Sequence, residues 1–398
     1  MQIRAGMFHA ISRATLAPMI RRTASRFLPV VACLALAACA TQAPPPAATT
    51  TTAPPSPSQS QPALLPPVPQ PPERPLAPAS VTDPAIPQAQ RIDAFVDYTA
   101  STYGVDPQMI RAELAQAVFK QNTITAISRP AEAVRPWRDY RPIFLTDARI
   151  NDGKAFYAAN RDALERVAAS TGVPAEYIVA IIGVETSYGK ITGNTRVLDA
   201  LYTLAFGWPK RAPFFAGELA QLFALGKDEG IDVSTLTGSY AGAMGWGQFM
   251  PSSYRNWAKD GDGDGHRDLI HNTSDVFASI ANYFVVHGWQ RGGPVVARAA
   301  RDAGAADFVP ESLDPVYPLA ALAQRGYRPL PGEPRPGQPL AEGATLITFD
   351  GETGKEYWLG YRNFYVITRY NHSPMYAMAV HQLAQAIRGG ATARASAQ

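Results

Sequence analysis

Two stretches of this chain hold residues whose types and order could do chemistry. The first runs from Val173 to Gly189 (VPAEYIVAIIGVETSYG) and carries a single carboxylate, Glu185, just after the apolar run Ile178–Val184. After Pro174 the pattern predicts a helix that is apolar all round and therefore buried on every side. Glu185 would sit at its C-terminal end. Burial and the negative end of the helix dipole both favour the protonated carboxyl. A glycosidase general acid needs that property, because it must hold a proton to give to the leaving oxygen. The second stretch, Gly238 to Tyr254 (GSYAGAMGWGQFMPSSY), surrounds Gln248 with glycines and aromatic rings ahead of a helix start near Pro251. Glycines let a backbone approach a ligand closely, and a glutamine amide offers a donor and an acceptor to a sugar hydroxyl or acetamido group. Each stretch also has a plainer reading: Glu185 pairing with an arginine at the helix end, and a glycine-rich turn packing helix on helix.

A third cluster is acidic. Asp260-Gly261-Asp262-Gly263-Asp264-Gly265 matches the first half of an EF-hand loop. Position twelve is His271 instead of a bidentate glutamate, and the plausible closing acid is Asp275, farther along. Asp260, Asp262, Asp264, His266 and Asp275 are the candidate ligands of a metal, with a solvated Asp-Gly turn as the alternative. Fewer or less rigid carboxylates weaken calcium binding.

The elements that must position these groups are mostly helices. Apolar residues fall at helical spacing over Ile92–Tyr98, Met109–Val118, Tyr157–Ala169, Phe214–Leu225, Val276–His287 and Tyr376–Ile387. Pro174, Pro213 and Pro251 stand near helix starts, and Gly189, Gly226 and Gly288 near ends. Near the C-terminus, Ala344–Phe349 and Glu356–Tyr361 read as a β-hairpin about the turn Asp350–Gly354, with Phe364–Thr368 following as a strand or extended segment. Residues 290–343, rich in Ala, Pro and Gly, read as a small α/β insertion, and 391–398 as a disordered tail. The fold class is α+β, predominantly helical.

Composition sets the limits. Hydrophobic residues make up 46% and charged residues 17%, which excludes disorder throughout the chain. The formal charge of +3 arises in the first 38 residues, which carry five arginines and no acid. The remainder is near neutral and gives no electrostatic reason to propose a nucleic-acid partner. Both cysteines, Cys33 and Cys39, lie in the N-terminal segment, so the folded part has no disulfide or Cys-based metal site, and no His-Glu-x-x-His zinc pair occurs. Phe27–Ala38 is a short apolar run behind a basic flank, below the ~20 residues a membrane span takes. Residues 1–38 read as an export signal. Leu36-Ala37-Ala38-Cys39 resembles a bacterial lipobox, with Cys39 lipidated, and Ala40 resembles the outer-membrane sorting pattern. Residues 39–88 hold sixteen of the 36 prolines and read as an extended tether.

Gly183-Val184-Glu185-Thr186-Ser187-Tyr188-Gly189 and Gly242-Ala243-Met244-Gly245-Trp246-Gly247-Gln248-Phe249-Met250-Pro251-Ser252-Ser253-Tyr254 closely resemble the membrane-bound lytic murein transglycosylase B family, glycoside hydrolase family 103. So do Ala281–Phe284 and Asn363–Asn371, and the resemblance runs from about 90 to 390 in the family's order. It implies a lysozyme-like fold in residues 89–390 and cleavage of the MurNAc–GlcNAc β-1,4 bond of peptidoglycan without water, leaving 1,6-anhydro-MurNAc. By this resemblance Glu185 donates a proton to the glycosidic oxygen and then takes one from the C6 hydroxyl that attacks C1. Tyr140, Ser239, Gln248, Tyr283, Tyr370 and Tyr376 match cleft residues. Arg211 matches one of two adjacent arginines facing peptide or sugar, and Lys210 replaces the other, keeping charge but losing a planar fork. The resemblance further implies a structural calcium ion at the acidic loop and no cofactor for catalysis. Glycan strands and a membrane anchor are the implied partners, with wall-synthesis or division proteins left open.

Overall fold

Proline-terminated starts and glycine or left-handed ends cut the described chain into helices close to where the sequence places them. The computed structural model describes residues 63–71, 74, 76–128, 135–334 and 343–395, within one unit, Gln61–Gln398. Helices α1 (Ala79–Thr82), α2 (Gln88–Tyr103), α3 (Pro107–Ala115) and α4 (Gln121–Ile127) come first. Gly104, at φ +63°, closes α2, and the Asp106 side chain accepts from Gln108 N to open α3. Then follow α5 (Trp137–Phe144), α6 (Asp147–Ala159), α7 (Arg161–Thr171) and α8 (Ala175–Thr186). The stretch expected as one helix over 157–169 breaks at Asn160, between α6 and α7.

Helix α8 is buried along its whole apolar length, from Ala175 to Val184, and packs among α6, α7, α12 (Thr273–Val286) and α15 (Pro374–Ala395). This is what an all-round apolar helix requires. The remaining helices are α9 (Val197–Gly207), α10 (Ala212–Glu229), α11 (Pro251–Trp257), α13 (Leu319–Gln324) and α14 (Arg362–Tyr370). Among the described residues no single helix is long and apolar enough to cross a membrane.

Two short strands, β1 (Thr195–Arg196) and β2 (Thr237–Gly238), pair antiparallel and bring the glycine-rich stretch beside the end of α8. The remaining strands are β3 (Val296–Arg301), β4 (Tyr317–Pro318), β5 (Tyr327–Pro329), β6 (Gly343–Asp350) and β7 (Lys355–Gly360). They form one antiparallel sheet in the order β4-β6-β7-β3-β5, with Leu346 opposite Leu359 and Asp350 opposite Lys355. The expected insertion and hairpin are thus a single unit, because β3 hydrogen-bonds to β7. Ala297, Tyr317, Leu322, Tyr327, Leu346 and Leu359 give it a core of its own. The predominantly helical α+β architecture is the expected one.

Three further readings differ from the structure. Phe364–Thr368, expected as a strand or extended segment, lies in α14. Its aromatic and β-branched residues favour strands intrinsically, but all five are buried where α14 packs on α15, and packing decides. The tether, expected to reach residue 88, gives way earlier to packed chain. Val68, Ala77 and Val81 are buried, Leu65 N–H donates to Val316 O (2.7 Å) and Ala77 N–H to Pro213 O (2.9 Å). Extended proline-rich chain keeps its amides free for such outside partners. Helix α15 runs through Ala395, past the expected start of a disordered tail at 391. The proposed signal, Cys39 and residues 39–62 of the tether lie outside the described residues.

Candidate active site

The site begins where α8 stops. Ser187 (φ +50°) and Tyr188 (φ +62°) turn the chain left-handed, and their N–H groups return to Gly183 O and Ile182 O (3.2 Å each). Glycine usually does this; a side chain there costs roughly 1–2 kcal/mol per residue. Packing of Tyr188 offsets it. The ring is buried, and its hydroxyl donates to Arg149 O (2.8 Å). A Cβ on Gly183 would meet the Tyr188 hydroxyl at 2.7 Å and its ring at 2.8 Å, so the glycine two residues before Glu185 is needed by the tyrosine three after it. Arg149, from α6, braces the same end, donating to Gly183 O (3.0 Å) and Ser187 Oγ (3.2 Å).

Thr186 joins this helix end to the glycine-rich loop. Its hydroxyl lies 3.0 Å from Trp246 O and accepts from Gly189 N–H (3.0 Å). In the loop, Ser239 Oγ accepts from Ala243 N–H (3.0 Å), and Met244 bridges to Phe249. Gln248, the third left-handed residue without a glycine's freedom among those described (φ +51°), donates from Nε2 to Thr192 O and Gly245 O (3.0 Å each). The glycines here make room chiefly for the protein itself. A Cβ on Gly242 would strike Leu201, on Gly245 the Leu269 carbonyl, and on Gly247 the Tyr370 hydroxyl. Close packing, rather than close approach of a ligand, accounts for these three.

Four buried tyrosines from four helices gather on the Glu185 side of the loop, Tyr140 on α5, Tyr283 on α12, Tyr370 on α14 and Tyr376 on α15. Tyr376 donates to Glu185 Oε1 at 2.6 Å, Tyr370 to Gly247 O at 2.7 Å, and Tyr283 to Arg369 O at 2.6 Å. Tyr140 is buried on α5 beside Phe144, and its electrostatic effect reaches Tyr376. Burial, then the neighbouring Glu185, pushes the Tyr370 and Tyr376 hydroxyls well above the usual tyrosine range; burial pushes Tyr283 up to about 12. All three are therefore neutral donors. Glu185 itself is half-buried.

A cleft of about 530 Å³ opens alongside, and Gln248, Tyr283, Tyr370, Arg211 and Phe214 are among its lining residues. The Arg211 guanidinium stacks on Phe214 at 4.2 Å. Lys210, on the same turn, is exposed and does not line that cleft, and Ser239 spends its hydroxyl on the loop. Sequence reasoning missed Arg149, which stands in no motif and meets α8 only through the fold.

The acidic loop stands apart from this cleft. Carboxylate oxygens of Asp260, Asp262 and Asp264 lie within 4.8 Å of one another, exposed, and the His266 imidazole is not among them. Asp275 is buried at the start of α12, its two oxygens accepting from Gly261 N–H (2.7 Å) and Asp268 N–H (2.6 Å). It thus organises the loop from behind. Its burial raises its carboxyl pKa, and Asp262 and Asp260 add to the effect. Three converging hard oxygen donors fit a calcium ion.

Fold and site together define a lytic transglycosylase: residues 87–385 match the transglycosylase SLT domain, and the chain belongs to that family. It is 42% identical over 312 residues to the membrane-bound lytic murein transglycosylase B of Escherichia coli strain K12, covering 76% of this chain and 82% of that protein. Among solved structures it resembles the catenated lytic transglycosylase SltB1 from Pseudomonas aeruginosa (46% identity, TM-score 0.70, 75% of this chain and 97% of that one). It also resembles the Escherichia coli lytic transglycosylase Slt35 in complex with calcium (41%, TM-score 0.67, 75% and 92%).

Proposed function

We infer that the chain is a peptidoglycan lytic transglycosylase in which Glu185 acts first as general acid and then as general base. The observation that carries this reading is a half-buried carboxylate, Glu185, held through Oε1 by Tyr376 and electrostatically coupled to Tyr370, which lines a cleft with no carboxylate among its described lining residues. Glycosidases that use water or a covalent intermediate ordinarily need a second carboxylate, ~5–9.5 Å from the first. With one, the balance closes differently. Glu185 gives its proton to the glycosidic oxygen as the C1–O bond breaks and the electron pair leaves with that oxygen. The MurNAc C6 hydroxyl oxygen then bonds to C1, and its proton returns to Glu185. No water enters, and the product end is 1,6-anhydro-MurNAc. Neutral Tyr376 donates to the carboxylate and orients it, while Tyr370 and Tyr283 donate to the Gly247 and Arg369 carbonyls and tie the surrounding segments together.

Mass spectrometry of sacculi digested with wild type and with Glu185→Gln tests the reading. Anhydro ends from wild type alone are the expected result. Reducing MurNAc ends would mean hydrolysis, and identical digestion by the variant would remove Glu185 from the mechanism.

Two further elements belong to this reading. Asp260, Asp262 and Asp264 would hold a calcium ion as a structural clamp on the loop ahead of α12, supported by the converging carboxylates and by the calcium complex of Slt35. Lipidation of Cys39 would hold the enzyme at the periplasmic face of the outer membrane, supported by the lipobox-like LAAC and the membrane-bound relative.

A further inference from the structure

A second cavity opens at the other end of α8 from Glu185. It holds about 510 Å³, and its wall runs from Glu176 and Tyr177, at the start of α8, to residues 292–296 and Trp358 of the sheet unit. Nine residues of α8, about 14 Å of helical rise, separate Glu176 from Glu185. No described residue lines both this cavity and the catalytic cleft. Strand β7 builds one aromatic side. Neighbouring strand residues face opposite ways, so Tyr357 packs into the sheet's own core and Trp358 toward the helical one. Trp289 enters from the helical side. Its indole N–H donates to Gly172 O (3.0 Å), its ring stacks on Phe284, and Tyr177 meets it edge-on at 5.2 Å.

The polar groups are fixed as firmly. Gln385 donates to the Tyr177 hydroxyl (3.4 Å), which lies 2.8 Å from His381 Nδ1. Burial lowers the His381 pKa to about 4 and pushes Tyr177 up, so both are neutral near pH 7. Glu333 accepts from Arg298 N–H (3.1 Å), and Glu176 faces Arg388 at 3.8 Å. Two carboxylates against the one guanidinium of Arg388 make the described wall slightly acidic. The catalytic cleft is the opposite, with Arg74, Arg211 and Arg369 and no carboxylate among its described lining residues.

An acidic wall repels phosphates and other anions. Cations are already supplied by the chain itself, since the Arg298 guanidinium lies 5.6 Å from the Trp358 ring and Arg388 stands beside Glu176. What remains is an uncharged ligand with both flat apolar faces and hydroxyl or amide groups. Ring faces carry partial negative charge and receive the C–H face of a sugar. The Gln385 amide donates and accepts, the carboxylates accept, and Arg388 donates. Resting on the transglycosylase reading, we propose that this cavity is a second saccharide site, which takes an N-acetylglucosamine residue of a glycan strand outside the catalytic cleft. Linked sites can exceed either affinity alone by ~10²–10⁴, so a grip here keeps the enzyme on its polymer between cuts.

The test follows the tryptophan indole N–H resonances of the full chain by NMR, with Glu185→Gln in place so that no ligand is consumed. Tri-N-acetylchitotriose, which is neutral and carries no peptide, should shift Trp289 and Trp358, assigned through their Phe variants. GlcNAc–MurNAc-tetrapeptide should shift Trp257, which lines the catalytic cleft. With Glu185 intact, Trp358→Ala and Gln385→Ala should each raise KM on sacculi at least ~10-fold, the lower edge of what a linked site supplies. Their kcat on sacculi, and their turnover of a soluble GlcNAc–MurNAc tetrasaccharide, should match wild type. Trp289 and Trp358 unmoved by the trisaccharide would overturn the site. Shifts at those two from the peptide-bearing ligand alone would overturn it in favour of a peptide site. Equal losses on sacculi and tetrasaccharide would make both residues structural and overturn it as well. A still Trp257, together with a wild-type digest free of anhydro ends, would instead bring down the transglycosylase reading, whatever the second cavity binds.

Discussion

The Tyr376 hydroxyl donates a 2.6 Å hydrogen bond to Oε1 of Glu185 across 191 residues of sequence. Helix packing sets the pair: α15 lies along α8, and Ser373 Oγ accepts from Tyr376 N–H to fix the first turn of α15. A phenol this buried stays neutral and can only donate to a carboxylate. Oε1 is thereby committed as an acceptor, so in the proposed mechanism the transferred proton would sit on Oε2.

Tyr376→Phe removes that donor while keeping the ring. A hydrogen bond to a charged partner contributes ~1.5–3 kcal/mol, so kcat on sacculi should fall roughly 10- to 100-fold with KM little changed. A lost donor to the ionised form also favours the protonated acid, and the alkaline limb of the pH–rate profile should move to higher pH. An unchanged kcat and an unmoved limb would show that the bond does not serve catalysis.

Thr186→Val tests the link between helix and loop. The substitution keeps the shape but removes the hydroxyl that meets Trp246 O and Gly189 N–H, both at 3.0 Å. Leaving such groups unmatched costs ~1–3 kcal/mol. Calorimetry should show a Tm lowered by a few degrees, with Thr186→Ser close to wild type and anhydro-product formation falling in the Val variant alone. Equal losses for Val and Ser would point to methyl packing instead.

Much of this site was legible because its signals are local. The all-apolar run ending in Glu185 announces a buried helix with a carboxylate at its end, and α8 is that helix. The Asp-x-Asp-x-Asp spacing likewise places three carboxylates on one loop. What stayed hidden depends on contacts between distant segments. Nothing near Arg149 or Arg74 marks them, since their partners lie on α8 and on α10 and α11. Phe364–Thr368 misled for a related reason, its strand-forming residue types being overruled by burial in a helix. Prolines before Gln88 suggested free chain, but the apolar Val68, Ala77 and Val81 among them are buried.

His287 predicts an acid sensitivity. It is 5% exposed, stacked on Tyr283 at 4.0 Å and edge-on to Trp257 at 4.8 Å. Burial lowers its pKa from 6.5 to about 4, the Tyr283 carbonyl opposes that, and Arg74, Arg369 and His372 add to it. Between those values the unfolded chain binds the proton that the folded one refuses, so stability rises with pH. This contribution is complete above about pH 6.5 and is lost as pH falls toward 4. His287→Phe, which keeps the stacking, should narrow the difference in Tm between pH 7.5 and about 4.5. An identical difference in wild type and variant would assign the acid sensitivity to other groups.

Calcium should stabilise the folded chain through the acidic loop. Asp260, Asp262 and Asp264 converge in solvent, and Asp275 behind them has its pKa raised by burial and by Asp262 and Asp260. A bound divalent cation relieves that repulsion. At a free concentration ~100 times Kd it adds about 2.7 kcal/mol, enough to raise Tm by several degrees. Exposed ligands and the missing glutamate at position twelve place Kd on the order of 10⁻⁴–10⁻³ M. Titration with calcium, followed by excess chelator, should raise Tm and then return it. Asp262→Asn or Asp264→Asn should abolish the rise. His266→Gln should leave it intact, because the imidazole lies outside the carboxylate cluster. A Tm indifferent to calcium at 10-fold the upper Kd, roughly 10 mM, would make the loop a solvated turn, and loss of the rise in His266→Gln would return that histidine to the ligand set.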